Sequence, residues 1–241
     1  MNDNPNLFHW CTQITADSTL KFQPLAVEAS HRRFYRLRSN NDPNRRWVAM
    51  DSPPDLEQNQ QFLTMAEVFA AQGIPVPDII DVDADRGFML MTDLGDLDLA
   101  QAYTTTHSEA ALRAAVDNLI RLQAVTSPHI PPYDEARLSM EFDLFEDWLL
   151  RRLLGNAGET LAIEHGATLA ATRKSCVAAM LAQPQVCVHR DYHCRNLLYN
   201  RNRIGVVDFQ DALVGPGLYD IASLLRDCYY QHEEQSIDYW L

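Results

Sequence analysis

The feature that most constrains this chain is a polar run set between short apolar segments near its C-terminus. Val186–Val188 precedes the run His189–Leu198, and a second apolar pair precedes Asp208. Short apolar segments bounded by polar residues predict strands joined by a loop and then a hairpin. This order places Asp191 and Asn196 in one loop and a second Asp at the end of the hairpin.

These three side chains match the needs of phosphoryl transfer from ATP. One carboxylate must orient and deprotonate the attacking hydroxyl, while an amide and a second carboxylate hold Mg²⁺ on the phosphates. Asp191 is therefore the candidate catalytic base, and Asn196 and Asp208 are the candidate magnesium ligands. Asp191 alone could cap a turn, as Asp often does in loops. The spacing of all three favours the catalytic role.

Composition limits the other classes of function. The 241 residues are 46% hydrophobic with a net charge of −13, which allows a core and offers no basic patch for nucleic acid. Five cysteines without C-x-x-C spacing predict reduced thiols in the cytoplasm. The polar N-terminus and the lack of a long apolar run predict neither a signal peptide nor a membrane span. The oligomeric state stays open.

The first ninety-odd residues predict a small β-rich lobe. Segments of strand composition are separated by polar turns. One helix is expected to begin after Asp55 as its N-cap, to bury Phe62, Met65 and Phe69, and to stop at Gly73. The predicted strands are Phe22–Ala29, Phe34–Arg38, Trp47–Asp51, Ile79–Asp83 and Gly87–Thr92.

Helical patterns dominate after Gly95. The sequence therefore predicts an α+β fold with two lobes, residues 1–94 and 95–241, joined by a hinge at 91–95 with a nucleotide cleft at the joint. The predicted helices run from the capping-box segment Thr106–Glu109 to Val125, over Phe142–Leu154, and over Glu159–Leu181 with a bend near Gly166.

Three runs carry a family resemblance: His189–Leu198, Val207–Asp211 and Tyr219–Leu225. They resemble the aminoglycoside phosphotransferase and choline kinase superfamily, relatives of the protein kinases. More narrowly, Ala29–Leu37 and Met50–Pro54, with the catalytic loop, are similar to bacterial anomeric sugar kinases. The resemblance implies a two-lobe protein-kinase-like fold. It also implies phosphorylation of the C1 hydroxyl of N-acetylmuramate or N-acetylglucosamine in peptidoglycan recycling.

One departure from the kinase pattern concerns the phosphates. Met50 stands where a phosphate-pairing Lys is expected, and Met neither donates a hydrogen bond nor carries charge. Val27–Ser30 lacks a Gly-rich phosphate loop. Arg32 or Arg33 becomes the candidate phosphate contact, because a guanidinium binds phosphate bidentately. Both could equally be surface arginines.

Further site residues are implied by the resemblance around the catalytic loop 189–196. Glu57 and Glu67 compete for the helix acid that would pair with the missing Lys. The other implied residues are the backbone of Met91, Thr92 and Asp93 for adenine, His193 for phosphate or substrate, Arg195 and Asp211 for substrate, and His189 and Asp220 for structural support of the loop.

Three alternatives stay open at this stage. The acceptor could be an aminoglycoside or an amino-alcohol such as choline. The chain could be a non-catalytic nucleotide-binding module, since the usual Lys and Gly-rich loop are missing. Finally, Ile237–Leu241 ends inside an amphipathic pattern, so the helical lobe could be shortened relative to the family.

Overall fold

The computed structural model describes residues 4–25 and 31–241, which form two compact units. The first unit contains the described residues up to Asn118 together with 193–210, and the second contains 119–192 together with 211–241. The chain therefore passes from the second unit to the first between Tyr192 and His193, within the predicted catalytic loop. The predicted lobe boundary at 94/95 stays a prediction.

The first unit is built on a five-stranded antiparallel sheet. Its strand order is β1-β2-β3-β5-β4, and Met50 of β3 lies opposite Met89 of β5. Four predicted strands are confirmed. The prediction Phe22–Ala29 is confirmed over Phe22–Pro24; Leu25 is not part of a strand, and residues 26–29 lie outside the described residues. The strands are β1 Lys21–Pro24, β2 Arg33–Arg38, β3 Arg46–Asp51, β4 Ile79–Asp83 and β5 Phe88–Thr92.

Helix α1, Pro5–Thr15, packs on this sheet although the sequence analysis did not predict it. Leu7, Phe8, Trp10 and Cys11 share a buried cluster with side chains of β2, β3 and β5. The local signal was present, because Asn4 accepts the Leu7 N–H and Pro5 occupies the first turn. The helix thus supplies the apolar cover that the outer face of a half-buried sheet needs.

Helix α2 runs over Asn59–Ala71, so the prediction of Asp55 as its N-cap is wrong. The main-chain N–H groups of residues 56 and 57 both donate to the Pro53 carbonyl. These residues therefore form a turn before the helix begins. Asn59 then donates to the Ser52 carbonyl and accepts from its hydroxyl. The predicted apolar face and the stop at Gly73, whose φ is 76°, agree with the structure.

The first unit also holds the hairpin that precedes Asp208. Strands β7, Leu197–Asn200, and β8, Arg203–Val206, pair antiparallel. Arg201 and Asn202 join them with φ of 49° and 63°, the two positive angles that tight hairpins use. These two strands form the hairpin that the sequence predicted before Asp208. Preceding it in this part of the chain are α3, Leu99–Tyr103, and α4, Ser108–Gln123.

The second unit is mainly helical. The predicted helix Glu159–Leu181 is two helices that part at His165, beside the expected bend. The predicted helix Phe142–Leu154 corresponds to the last residues of α5 and to the π-helix that follows it. The elements of the second unit are α5 Glu135–Phe145, the π-helix Glu146–Leu153, α6 Gly155–Glu164, α7 Gly166–Leu181, β6 Gln185–Val188, β9 Leu213–Pro216, α8 Tyr219–Leu225 and α9 Glu234–Trp240.

The cysteines are all reduced in this structure. The five thiols lie within the described residues and none forms a disulfide. Burial raises the pKa of Cys11 and of Cys187 to about 12, so neither thiol is a nucleophile at neutral pH. Over residues 4–25 and 31–241, none of the helices is long and apolar enough to cross a bilayer.

Candidate active site

A buried carboxylate anchors the start of the catalytic loop in the second unit. Asp220, in the first turn of α8, is fully buried. Its carboxylate accepts the main-chain N–H of His189 at 2.7 Å and that of Arg190 at 3.0 Å. Two hydrogen bonds from consecutive peptide groups fix the direction in which the chain leaves β6. These contacts are those of a loop support rather than of a reacting group.

The charge state of Asp220 is set by competing effects. Its pKa is raised to about 7, mainly by burial and to a lesser extent by the nearby charge of Asp191, while the two main-chain hydrogen bonds partly offset both effects. Removing a carboxylate from water disfavours its charged form unless donors compensate. The anchor is therefore a group that changes protonation near neutral pH.

Arg190 is held in an uncommon backbone conformation just before Asp191, the candidate base. Its φ is 78°, a left-handed value that a non-glycine residue keeps only when its surroundings hold it there. Its guanidinium donates to Glu141 at 3.2 Å and lies 5.5 Å from the ring centre of Tyr133. Glu141 also accepts hydrogen bonds from the hydroxyls of Tyr133 and Tyr219. Arg190 therefore braces the loop, and Glu141 is a partner that sequence reasoning missed.

Asp191 is exposed at the end of this segment. Its N–H donates to His189 Nδ1 at 3.3 Å, so that ring nitrogen acts as an acceptor toward the loop. The His189 ring is buried and meets Tyr192 edge-on, with ring centres 5.8 Å apart. An imidazole committed in this way is poorly suited to be the base, and Asp191 stays the candidate for that role.

The candidate metal ligands come together in the first unit. Asn196 Nδ2 lies 3.4 Å from Asp208 Oδ2 and 3.3 Å from His193 Nε2. The Val207 N–H donates to the Asn196 carbonyl at 3.0 Å, which ties the loop to the chain after β8. Asp208 is exposed and has a φ of 61°. Loop and hairpin therefore present an amide and a carboxylate side by side.

This pair fits a magnesium ion. Mg²⁺ prefers oxygen ligands and is commonly held by one or two protein groups with phosphates and waters completing the shell. Rotation of the Asn196 amide would turn its oxygen toward the Asp208 carboxylate. No cluster of three or more His, Cys, Asp or Glu able to hold a metal exists in the part of the chain that the structure describes. A two-ligand site that uses the substrate's phosphates needs none.

The predicted adenine segment is stabilised by ion pairs. Met91 is buried in β5, and the Thr92 hydroxyl accepts the Asp78 N–H at 2.9 Å. The Asp93 carboxylate is buried against Arg36, with Nε–Oδ2 at 2.9 Å, and accepts the Gly95 N–H at 3.0 Å. The Asp93 side chain is thus engaged in structure, and its main chain is what the adenine prediction requires.

The structure distinguishes Arg32 from Arg33. Arg32 is 6% exposed; its Nε lies 3.4 Å from Glu57 and 3.4 Å from the Ser52 hydroxyl. Arg33 is exposed at the start of β2. Of the two acids that competed for a cationic partner, Glu57 has one in Arg32, whereas Glu67 is exposed on α2. Met50, in place of the expected Lys, is fully buried.

The remaining residues predicted to contact substrate are exposed or half-buried. His193 is half-buried beside Asn196, Arg195 is exposed in the first unit, and Asp211 is exposed in the second. A role in substrate binding stays a prediction for all three.

The chain is similar to an aminoglycoside phosphotransferase from Streptomyces rimosus in complex with ADP and streptomycin, with a TM-score of 0.65 and 18% identity. The match covers 98% of this chain and 90% of that one. It confirms the predicted fold class.

Residues 21–239 match the model of the phosphotransferase enzyme family, and the chain belongs to that family. A protein from Pseudomonas aeruginosa named N-acetylmuramate/N-acetylglucosamine kinase is 38% identical over 218 residues, 89% of this chain and 62% of the relative. One of the same name from Neisseria meningitidis is 32% identical over 236 residues, 96% of this chain and 69% of the relative. The chain thus spans about 62% of the length of the Pseudomonas protein.

Proposed function

We propose that this protein is an ATP-dependent kinase that phosphorylates the anomeric C1 hydroxyl of N-acetylmuramate or N-acetylglucosamine. The observation that carries phosphoryl transfer is the Asn196–Asp208 pair, 3.4 Å apart on the loop and hairpin. The choice of acceptor rests on the names of relatives that are 38% and 32% identical. A cytoplasmic location, expected from the reduced thiols, is part of the same proposal.

Asp191 is the proposed general base. It orients the sugar hydroxyl and accepts its proton as the hydroxyl oxygen bonds to the γ-phosphorus, while the bond to the bridging oxygen breaks and ADP leaves. The anchors on His189 and Arg190 keep the exposed carboxylate in a fixed direction. Asn196 and Asp208 are the proposed ligands of Mg²⁺, which when bound neutralises charge on the phosphates.

Arg32, rather than Arg33, is the proposed phosphate contact. Successive side chains of a strand point to opposite faces, so Arg33 shares the face of Tyr35 and Leu37, which pack with α1. Arg36 is on the other face and pairs with Asp93 of the adenine segment. The Arg32–Glu57 pair then takes the part of the cation and acid that Met50 cannot provide.

A panel assay with labelled ATP tests the function. The acceptors are N-acetylmuramate, N-acetylglucosamine, the methyl glycoside of the latter blocked at C1, a kanamycin-type aminoglycoside and choline. We expect label only in the two free sugars, with phosphorus-31 NMR placing it on C1. Equal labelling of the blocked glycoside would exclude the anomeric position.

Two alternatives are distinguished by the same panel. Preferred labelling of the aminoglycoside or choline would identify a different acceptor class, although Tyr192–Arg195 contain no carboxylate and two potentially cationic side chains. Like charges there disfavour a cationic substrate. Binding of Mg-ATP without label in any acceptor would identify a non-catalytic nucleotide-binding module.

A further inference from the structure

Helix α2 is fastened to the two residues that follow Asp208, all within the first unit. Gln61 Nε2 donates to the main-chain oxygen of Gln210 at 2.7 Å. The Phe209 ring is buried, stacks on Phe62 with centres 5.2 Å apart, and meets Phe69 edge-on at 5.8 Å. One side chain and one main-chain oxygen therefore tie this segment to a single helix.

Asp208 itself is restrained at both its backbone and its carboxylate. Its φ of 61° is a left-handed value, which costs free energy in a non-glycine residue although Asp tolerates it better than most. Gln210 Nε2 donates to Asp208 Oδ1 at 2.9 Å, and Asn196 Nδ2 faces Oδ2 at 3.4 Å. Each carboxylate oxygen has an amide beside it, so the rotamer is restrained as well as the main chain.

We propose that Gln61 and Gln210 are positioning residues for the divalent cation bound by Asp208. Gln210 acts directly on the carboxylate through its amide, and Gln61 acts through the main chain of Gln210. This inference rests on the proposed function, because it takes Asp208 as a metal ligand. Groups that orient a metal ligand commonly contribute 10- to 100-fold to metal affinity.

The chain offers a matched control for Gln61. Gln60 is the preceding residue on α2, is of the same type, and is exposed with its amide donating to Thr64 at 3.4 Å. Gln61→Glu keeps the size of the side chain but at neutral pH removes the N–H donor. Gln60→Glu introduces the same charge one position away. Any difference between the two variants therefore reports the bond to Gln210.

The experiment is calorimetric titration of Mg²⁺ into the whole protein saturated with ADP, which needs neither a sugar nor turnover. We expect the Mg²⁺ dissociation constant to rise roughly 10-fold in Gln61→Glu and in Gln210→Ala, and to stay unchanged in Gln60→Glu. Asp208→Ala should leave only the heat of Mg²⁺ binding to ADP, as measured in a titration without protein. Circular dichroism melting of each variant reports its folding, and Gln61→Glu decides the test where Gln210→Ala is not folded.

The outcomes separate this inference from the proposed function. Wild-type Mg²⁺ affinity in Gln61→Glu and Gln210→Ala, with or without lower melting temperatures, would overturn the positioning role and leave a purely structural one. An equal loss in Gln60→Glu would also overturn it, because charge alone would explain the result. An unchanged titration in Asp208→Ala would instead remove Asp208 from the metal site, and the proposed chemistry with it.

Discussion

The two acids proposed for chemistry are supported in opposite ways. The segment before Asp191 is anchored by Asp220, a fully buried carboxylate that accepts two main-chain N–H groups. Asp208 is exposed and is contacted by the neutral amides of Asn196 and Gln210. Both supports hold a chain with positive φ, at Arg190 and at Asp208 itself.

This difference separates folding from function. A buried carboxylate that accepts two main-chain N–H groups is expensive to remove, since each buried N–H left without an acceptor costs about 1–3 kcal/mol. Neutral amides at an exposed site carry little of the fold, and they do not titrate near neutral pH. Changes at Asp220, which supports the loop before Asp191, should therefore alter the free energy of unfolding and its pH dependence. Changes at the proposed metal site should instead alter the affinity for the cation.

The largest expected effect is on turnover. Asp191→Asn keeps the shape of the loop and removes the proton acceptor, so kcat should fall roughly 10²- to 10⁴-fold. Affinity for Mg-ADP should stay at the wild-type value, because the proposed metal ligands, Asn196 and Asp208, are unchanged in this variant. Steady-state kinetics with saturating sugar and calorimetry measure the two quantities. Near-normal kcat would show that Asp191 is not the base.

Variants of the proposed metal site should also lose activity, but through weaker binding of the nucleotide with Mg²⁺. Asp208→Ala and Asn196→Ala should weaken Mg-dependent nucleotide binding. The transition state should also lose several kcal/mol of charge stabilisation, so kcat/KM should fall. Their free energies of unfolding should change little. Chemical denaturation without Mg²⁺ tests the expectation for stability. A large loss of stability in either variant would show that the pair is structural and would break the comparison.

The anchor should show the reverse behaviour. Asp220→Ala removes the acceptor of the His189 and Arg190 N–H groups, so the free energy of unfolding should fall by about 2–4 kcal/mol. Asp238→Ala, an exposed Asp on α9 of the same unit, is the matched control and should change it little. Urea denaturation followed by far-ultraviolet circular dichroism measures both. Equal stability of the two variants would show that Asp220 does not anchor the loop.

The anchor also gives a pH dependence with a definite sign. Because the pKa of Asp220 is raised to about 7 in the folded protein, the folded state binds its proton more tightly than the unfolded chain does. The free energy of unfolding should therefore fall as pH rises from about 4 to about 7. Relative to Asp220→Asn, the wild type should lose on the order of 1–3 kcal/mol between pH 5 and 8. A constant difference between the two proteins would contradict the raised pKa.

The smallest expected effect concerns the brace on Arg190. Arg190 and Glu141 are about one-third exposed, at 33% and 31%, so solvent screens their ion pair. Glu141→Gln should lower the free energy of unfolding by about 0.5–1 kcal/mol, less than a loss of Asp220. Denaturation at low and at high salt checks this, because a screened pair should contribute less in high salt. A loss as large as that of Asp220→Ala would place the main support at Glu141.

Sequence reasoning reached what short-range pattern encodes. Strands β2 to β5 and the hairpin before Asp208 follow from alternation and turn residues, and the family resemblance supplied the fold class. The α2 start was wrong because the turn at Pro53 depends on contacts with Ser52 and Asn59. Helix α1 carried a readable cap at Asn4 that was overlooked.

The supporting partners were out of reach for a different reason. Gln61 and Gln210 are 149 positions apart, and Glu141 and Arg190 are 49 apart. Neither pair forms part of a local motif, since a polar residue on a helix more often faces water than a distant loop. Arg36 with Asp93, 57 positions apart, is of the same kind. Such pairs exist only once the chain has folded.

The left-handed backbone at Asp208 has a consequence for how freely this position can vary. Gly, Asn and Asp tolerate such a φ best, whereas a charged oxygen ligand requires Asp or Glu. Asp is the residue common to both sets. Asp208→Glu should therefore be a poor replacement although it keeps the charge, and Asp208→Gly should relax the backbone while deleting the ligand. With Asp208 as the proposed metal ligand, we expect the glycine variant to be folded and inactive, and thus suited to trapping bound acceptor in crystals.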